Sequence, residues 1–178
     1  MAGKIKVYDK DFKALGSTSE AFNIAKTEEL MREYTLSFSV VNTDGIFDYI
    51  NENSIFEYSG QRFDISGIDG DSGTNNITQV TAEHISYRLS NYTLVNGYSF
   101  AGTARQLAED ILREAKTVDG TPASSEFTLG TVVNTDVLNF SLLGQTNVTA
   151  REALIAMKEL GVEVQFDNFT VDVLYQVG

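Results

Sequence analysis

The sequence predicts an α+β fold, and three features of its pattern lead to that class. Several runs before residue 79 alternate apolar and polar side chains, as strands with one buried face do. Two later stretches place apolar side chains three and four residues apart, which is the spacing of an amphipathic helix. The change between the two patterns falls within residues 79–92. We therefore expect a β-rich, barrel-like domain over residues 1–95, followed over 96–178 by two amphipathic helices and short antiparallel strands.

Alternation predicts the strands of the first domain. The clearest strand is residues 34–41, YTLSFSVV, in which apolar side chains share one face and hydroxyl side chains occupy most of the other. The pair Ser59-Gly60 separates two β-rich runs and predicts a two-residue hairpin turn. In chain order, the expected strands are residues 3–8, 34–41, 54–58, 61–65 and 77–82. Short antiparallel strands of this kind suit a small barrel or a sandwich.

The segments between these strands are less regular. Residues 10–20 are mostly polar and are predicted to form a loop. Residues 21–33 are ambiguous, because their composition favours a helix but their apolar spacing is poor beyond Leu30 and Met31. Residues 69–76, DGDSGTNN, are predicted to be a polar hairpin tip. Residues 82–92 fit helical and strand spacing equally well, and we interpret them as a short connector that crosses the barrel.

Two capped helices define the second domain. The first is expected at residues 103–116, where Thr103 and Gln106 have the spacing of a capping box. The second is expected at residues 150–160, with Thr149 and Glu152 as its capping box and Gly161 as its end. Strands are expected at residues 127–133 and 137–142, around a turn at 134–136, and at residues 162–166 and 171–175 as a hairpin.

Composition excludes several classes of protein. Thirteen Lys and Arg against 25 Asp and Glu give a net charge of −12, which opposes general binding to nucleic acid. The absence of cysteine excludes disulfides, thiol nucleophiles and thiolate metal sites. No apolar run approaches the ~18 residues of a membrane span, and the first residues lack the apolar stretch of a secretory signal. We expect a chain made in the cytoplasm, and its final strand pattern suggests a piece of a longer protein.

The candidate chemical sites are few. His84 is the only histidine, and Glu83 beside it could form a proton-transfer pair, but adjacent strand residues point to opposite faces. We therefore predict a structural role for His84. Residues 69–73, DGDSG, resemble a calcium loop but place Thr74 and Val80 where an EF-hand needs glycine and glutamate.

Three further groups have simpler explanations. The carboxylates Glu28-Glu29, Glu109-Asp110 and Glu114 are expected on solvated surfaces, where they need no catalytic role. The run at residues 16–19, GSTS, lacks the lysine of a phosphate-binding loop. The 8 Tyr and 11 Phe are spread through the strand patterns, which favours core packing over a sugar-binding platform. We therefore predict no catalytic, cofactor-binding or metal-binding residue and no enzymatic activity for this chain.

Several segments together resemble the N-terminal region of phage tail hub proteins, the prophage tail or tail-associated lysin family, which is similar to the central hub of contractile phage baseplates. Their order along most of the chain carries the resemblance, and no invariant catalytic motif contributes to it. The segments are EYTLSFSVV at residues 33–41, NSIFEYSGQRFDI at 53–65, TAEHISYRL at 81–89, the helix at 103–114, and VTAREALIAMKELGVEVQFDN at 148–168.

The resemblance implies a structural component of a tail tip or baseplate hub. In that family a homotrimeric ring joins the distal tail or tail tube protein to the fibre, spike or lysin region, close to the tape measure protein. Such a protein resides in the virion tail after assembly in the bacterial cytoplasm. Peptidoglycan cleavage in the family belongs to further domains, and no residue here matches them. Two alternatives remain open: a host-surface carbohydrate-binding module of the virion, or part of a cell-wall hydrolase whose catalytic domain lies outside this chain.

Overall fold

The first compact unit of the computed structural model is one antiparallel sheet. The structure describes residues 3–29, 32–70, 76–133 and 136–175, and their contacts divide the chain between Ile85 and Ser86. The strands of the first unit are β1 (Ile5–Tyr8), β2 (Ala14–Thr18), β3 (Phe22–Glu28), β4 (Tyr34–Val41), β5 (Ile55–Tyr58), β6 (Gln61–Gly70) and β7 (Ile77–His84). Their order across the sheet is β2-β1-β5-β6-β7-β4-β3.

This sheet must curl, because its two outermost strands are neighbours in the chain. Across a flat sheet, the six spacings of about 4.8 Å between seven strands would separate β2 from β3 by about 29 Å. Residues 19–21 join Thr18 to Phe22, and a link of that length spans at most about 14 Å. The predicted barrel-like curvature is therefore present. Within the described residues, however, β2 and β3 do not pair, so no closed barrel forms.

The inner face of the sheet holds the core of the first unit. In β4 the side chains of Tyr34, Leu36, Phe38 and Val40 are all buried, as the alternation predicts. Phe38 meets Phe56 of β5 edge to face, with ring centroids 5.1 Å apart. Each such fully buried side chain contributes on the order of 1.5–3 kcal/mol relative to an exposed one. The hydrophobic alternation thus fixes the register of the central strands.

The hairpin turn between β5 and β6 is confirmed. Ser59 and Gly60 have φ angles of 52° and 80°, the left-handed values that a tight two-residue hairpin turn requires. The predicted polar tip at residues 69–76 is only partly described: Asp69 and Gly70 end β6, Asn76 precedes β7, and residues 71–75 lie outside the described residues.

Two sequence expectations for the first unit are wrong. Residues 10–20 were expected to form a loop, but they contain β2, whose residues pair with β1. Residues 21–33 favoured a helix, but they contain β3, which pairs with β4. Both are edge strands with one neighbour each, so they need no continuous apolar face, and their mixed composition hides them.

The second unit begins at Ser86, within a segment of 3-10 helix, Ile85–Asn91, that continues directly from β7. Its regular elements are β8 (Ser99–Gly102), α1 (Ala104–Glu114), β9 (Thr128–Val132), β10 (Leu138–Ser141), α2 (Ala150–Ala156), β11 (Val162–Asp167) and β12 (Thr170–Tyr175). The sequence predicts a domain boundary near residue 95, and the contacts divide the chain between Ile85 and Ser86. Neither helix is long and apolar enough to cross a membrane, nor is any other helix in the described ranges.

Both predicted helices and both capping boxes are confirmed. The Thr103 side chain accepts a hydrogen bond from the Gln106 amide, and the Gln106 side chain bonds back to the Thr103 amide. Thr149 and Glu152 make the same reciprocal pair at the start of α2. The second helix tightens to a 3-10 turn, Met157–Leu160, and stops at Gly161, whose φ of 80° is left-handed.

The strands of the second unit pair differently from the sequence expectation. The predicted hairpin of β11 and β12 is confirmed. The strands on either side of residues 134–136, however, belong to separate sheets: β9 pairs in parallel with β12, and β10 pairs antiparallel with β8. The unit therefore contains one parallel pair besides its antiparallel ones. Such a pairing joins strands far apart in sequence, so a local pattern cannot reveal it.

Candidate functional site

His84 lies at the centre of a buried aromatic cluster in the first unit. Its ring is fully buried and stacks on Tyr34, with centroids 4.1 Å apart and planes 10° from parallel. Phe63 meets the same ring edge to face at 5.5 Å. The His84 Nε2 atom is 3.0 Å from Oε1 of Gln61. This environment is that of a packing and hydrogen-bonding residue, as the sequence predicted.

The possible Glu83–His84 proton-transfer pair does not form. Along β7 the side chains alternate between exposed and buried, and Glu83 is exposed while His84 is buried. The carboxylate therefore lies on the opposite face of the sheet from the imidazole. Because the ring is sealed from solvent, His84 cannot reach a polymeric substrate on the surface.

The other predicted candidates also fall on structural positions. Residues 16–18 belong to β2, so the GSTS run does not form a loop before a helix. Glu28 is exposed and bonds Lys26 at 2.8 Å, and Glu109 lies 3.6 Å from Arg105 one helical turn away. No group of three or more potential metal ligands occurs among the residues that the structure describes.

Asp110 is buried, contrary to the expectation from the sequence. It was expected on a solvated helix face, but it is only 7% exposed and accepts a hydrogen bond of 2.7 Å from the hydroxyl of buried Tyr98. Arg113 also bonds this carboxylate from the next turn of α1. Burial, with the charge of Glu114, raises the pKa of Tyr98 to about 12. The sequence did not indicate this burial, because Tyr98 lies twelve residues before Asp110.

A second buried pair ties the 3-10 segment to the chain after α1. The hydroxyl of Tyr92 donates to Glu126 at 2.8 Å, and Arg88 bonds the other oxygen of that carboxylate at 2.7 Å. Burial, helped by the hydrogen bond to Glu126, raises the pKa of Tyr92 to about 12. Both clusters hold the second unit together and contain no group positioned as a nucleophile.

The outer face of the first unit carries a polar network. Lys6 and Tyr8 of β1 both bond the Glu57 carboxylate, at 2.5 and 2.9 Å. The hydrogen bond from Lys6 lowers the pKa of Glu57, and the same bond raises the pKa of Lys6. Arg62 lies over the ring of Tyr8 at 5.6 Å and over that of Phe12 at 5.0 Å. These contacts fix the β1–β2 turn to the sheet.

The features available to a partner are strand edges and scattered apolar side chains. In the first unit, β2 and β3 are edge strands, and most of β3 is exposed. Unpaired strand edges are natural places for another chain to add. The exposed large apolar side chains are Val41, Tyr49, Ile68, Val95, Val118, Val137, Leu143 and Tyr175. The arrangement is thus suited to contact with other proteins, and the described residues present no assembled catalytic group.

Solved prophage tail proteins share the fold of this chain. Prophage tail protein gp18 from Listeria monocytogenes EGD-e superposes with a TM-score of 0.67 at 16% identity, over 96% of this chain and 50% of that one. A tail protein from Neisseria meningitidis MC58 gives 0.60 at 13% identity, over 97% and 50%. The 43 kDa tail protein of prophage MuSo2 from Shewanella oneidensis gives 0.59 at 12% identity, over 96% and 52%.

A family model matches the first unit of the chain. Residues 5–84 match the family model of the prophage endopeptidase tail N-terminal domain, and the match coincides with the seven-stranded sheet. The resemblance found in the sequence is therefore confirmed. A comparison with curated protein sequences finds no match. The chain spans about half the length of the solved structures it resembles. The family match supports a structural role in a phage tail, and the solved neighbours show that the fold is shared.

Proposed function

We propose that this chain is a non-enzymatic part of a tail-tip or baseplate hub. Copies of the full-length protein assemble as a homotrimeric ring in the virion tail, after synthesis in the host cytoplasm. The ring joins the distal tail or tail tube protein, near the tape measure protein, to the fibre, spike or lysin region. The observation that carries the proposal is the match of residues 5–84 to a tail-protein domain, which is the whole curled sheet of the first unit.

The physical features of the first unit support this assignment. A ring needs each subunit to present two different surfaces, one to each neighbour. The sheet offers two edge strands of different sequence, β2 and β3. The polar network of Lys6, Glu57 and Arg62 stiffens the side of the sheet next to β2, so that this surface is ordered before a partner arrives.

A hydrolase active site built on His84 within this chain is disfavoured by the structure, whereas a catalytic domain outside this chain remains an alternative. The only histidine of the chain is fully buried against Tyr34 and Phe63, and Glu83 lies on the other face. The family description names an endopeptidase, but these residues provide no support for that activity in this chain. Loss of turbidity of a peptidoglycan suspension on addition of this chain, abolished by His84→Ala, would contradict the proposal.

The carbohydrate-binding alternative needs aromatic rings that lie together on the surface. Among the large apolar side chains exposed in the described ranges, the aromatic ones are Tyr49 and Tyr175, and they belong to different units. Neither unit therefore presents two exposed rings for a sugar to stack between. A shift of tyrosine fluorescence on addition of host saccharides would favour this alternative.

The position in the virion can be tested directly. Antibodies raised against this chain, applied to purified phage particles, should place gold label at the distal end of the tail in electron micrographs. Particles from a lysogen in which the gene is deleted are the control and should show no label. Label along the whole tube, or its absence from intact particles, would refute a tail-tip location.

The ring requires a separate measurement. Light scattering of the full-length protein should give the mass of a trimer at high concentration. A monomer mass under those conditions would refute the ring while leaving the tail location untouched. The two experiments therefore separate the location of the protein from its assembly.

A further inference from the structure

The turn before β8 contains the only Asn-Gly pair of the sequence, Asn96-Gly97. Asn96 is exposed, and Gly97 adopts a left-handed φ of 75°. Asparagine followed by glycine can react with its own main chain, because no side chain of the following residue shields the amide nitrogen. Asparagine is also among the chemically labile residues that proteins of hot environments use sparingly. The question is whether this turn favours the reaction.

The nucleophile, the amide nitrogen of Gly97, is available. Within the described parts of the chain, this amide makes no hydrogen bond. Around Gly97 there is also room: a Cβ atom placed there would find Leu143 as its nearest neighbour, at an ordinary 3.8 Å. Neither a competing acceptor nor a crowded side chain holds the amide away from the Asn96 side chain.

The electrophile, Cγ of Asn96, is polarised by a hydrogen-bond donor that is fixed in place. The backbone amide of Asn147 donates to Oδ1 of Asn96 at 3.2 Å. Two neighbouring main-chain bonds hold this donor in place, from Leu94 to Val148 at 2.9 Å and from Ala150 to Tyr92 at 2.8 Å. A donor already aimed at the oxygen stabilises the negative charge that develops there when the side-chain carbon is attacked.

We propose that Asn96-Gly97 is a self-modification site. The deprotonated Gly97 nitrogen attacks Cγ of Asn96 and forms a five-membered succinimide. The Cγ–Nδ2 bond breaks, and ammonia leaves with the proton that the main-chain amide lost. Water then adds to either carbonyl of the ring and gives aspartate or isoaspartate. The net change consumes one water and releases one ammonia, with no oxidation or reduction.

The products change the turn in two ways. Both add a negative charge close to the start of β8, and isoaspartate also lengthens the main chain by one carbon. The bond between Asn96 and Asn147 ties the segment before β8 to the segment before α2. The isoaspartate product therefore loosens a contact inside the second unit, and the fraction modified records the age of the protein.

Peptide mapping with isoaspartate detection tests the proposal. The intact protein is incubated at mildly alkaline pH, folded or in concentrated urea, and the conversion of each asparagine is followed by mass spectrometry. We expect Asn96 to react about tenfold faster in the folded chain than in urea, because the unfolded chain lacks the Asn147 donor. Exposed Asn147, followed by the β-branched Val148, is the internal control and should remain unmodified.

Two variants check the chemistry, and circular dichroism confirms that each is folded. Asn96→Gln keeps an amide but would require a larger ring, so conversion should disappear. Gly97→Ala places a methyl group beside the nucleophile and should slow conversion. A rate at Asn96 in the folded chain that equals or falls below the rate in urea would overturn the proposal, since the fold would then not favour the reaction.

Discussion

Replacement of His84 by alanine should destabilise the first unit strongly. The change removes a fully buried ring that stacks on Tyr34, meets Phe63 and bonds Gln61. Deleting a buried aromatic ring leaves a cavity, and the lost ring contacts and hydrogen bond add to that cost. We expect a loss of about 3 kcal/mol in the free energy of unfolding. His84→Phe restores the ring without the bond to Gln61 and should cost about 1 kcal/mol.

Hydrogen exchange of the β4 and β7 amides measures this loss of stability in the first unit alone. A global unfolding signal would mix the two units. Denaturant titration with an unchanged slope would support a stability effect over a change of the unfolded state. Glu83→Ala, at the exposed neighbour on the same strand, is the matched control and should cost little. A cost of His84→Ala that equals that of the control would refute a structural role for the ring.

Two further predictions concern the second unit. Tyr98→Phe removes the bond to buried Asp110 and should cost about 1–2 kcal/mol in denaturant titration, whereas Tyr49→Phe, at an exposed ring, should cost almost nothing. Because the pKa of Tyr98 is raised from 10.0 to about 12, its stabilisation is complete below pH 10 and is lost as the pH rises towards 12; alkaline unfolding followed by circular dichroism should therefore be less steep in Tyr98→Phe. Thr149→Ala removes the capping box of α2 and should cost about 1 kcal/mol in the same titration, and an unchanged midpoint would contradict the role of that cap.

The sequence was most informative where a local rule determines the structure. The alternation in residues 34–41 is a two-residue period, and only one register of that strand buries its apolar side chains. Ser59-Gly60 and the two capping boxes depend on residues within a few positions of one another. For the same reason His84 could be assigned a structural role before its neighbours were known, since strand geometry alone separates it from Glu83.

The sequence was least informative where the partner is distant or the strand lies at an edge. β3 contains Ala25, Lys26 and Glu28, which suit a helix, and only pairing with β4 makes them a strand. The burial of Asp110 depends on Tyr98, which lies before the helix and outside its periodic pattern. The N–H group that donates to Oδ1 of Asn96 belongs to Asn147, 51 residues away, so no motif could have indicated it.

The parallel pairing of β9 with β12 also orders events on the ribosome. The described strands of the first unit lie within residues 5–84, so that sheet can form as soon as β7 has emerged. The second unit must wait, because Thr128 of β9 finds its partner only at Thr170. Until β12 is synthesised, β9 has no strand beside it and remains open to wrong partners. Vectorial synthesis therefore makes the second unit the later half of the chain to complete its sheets.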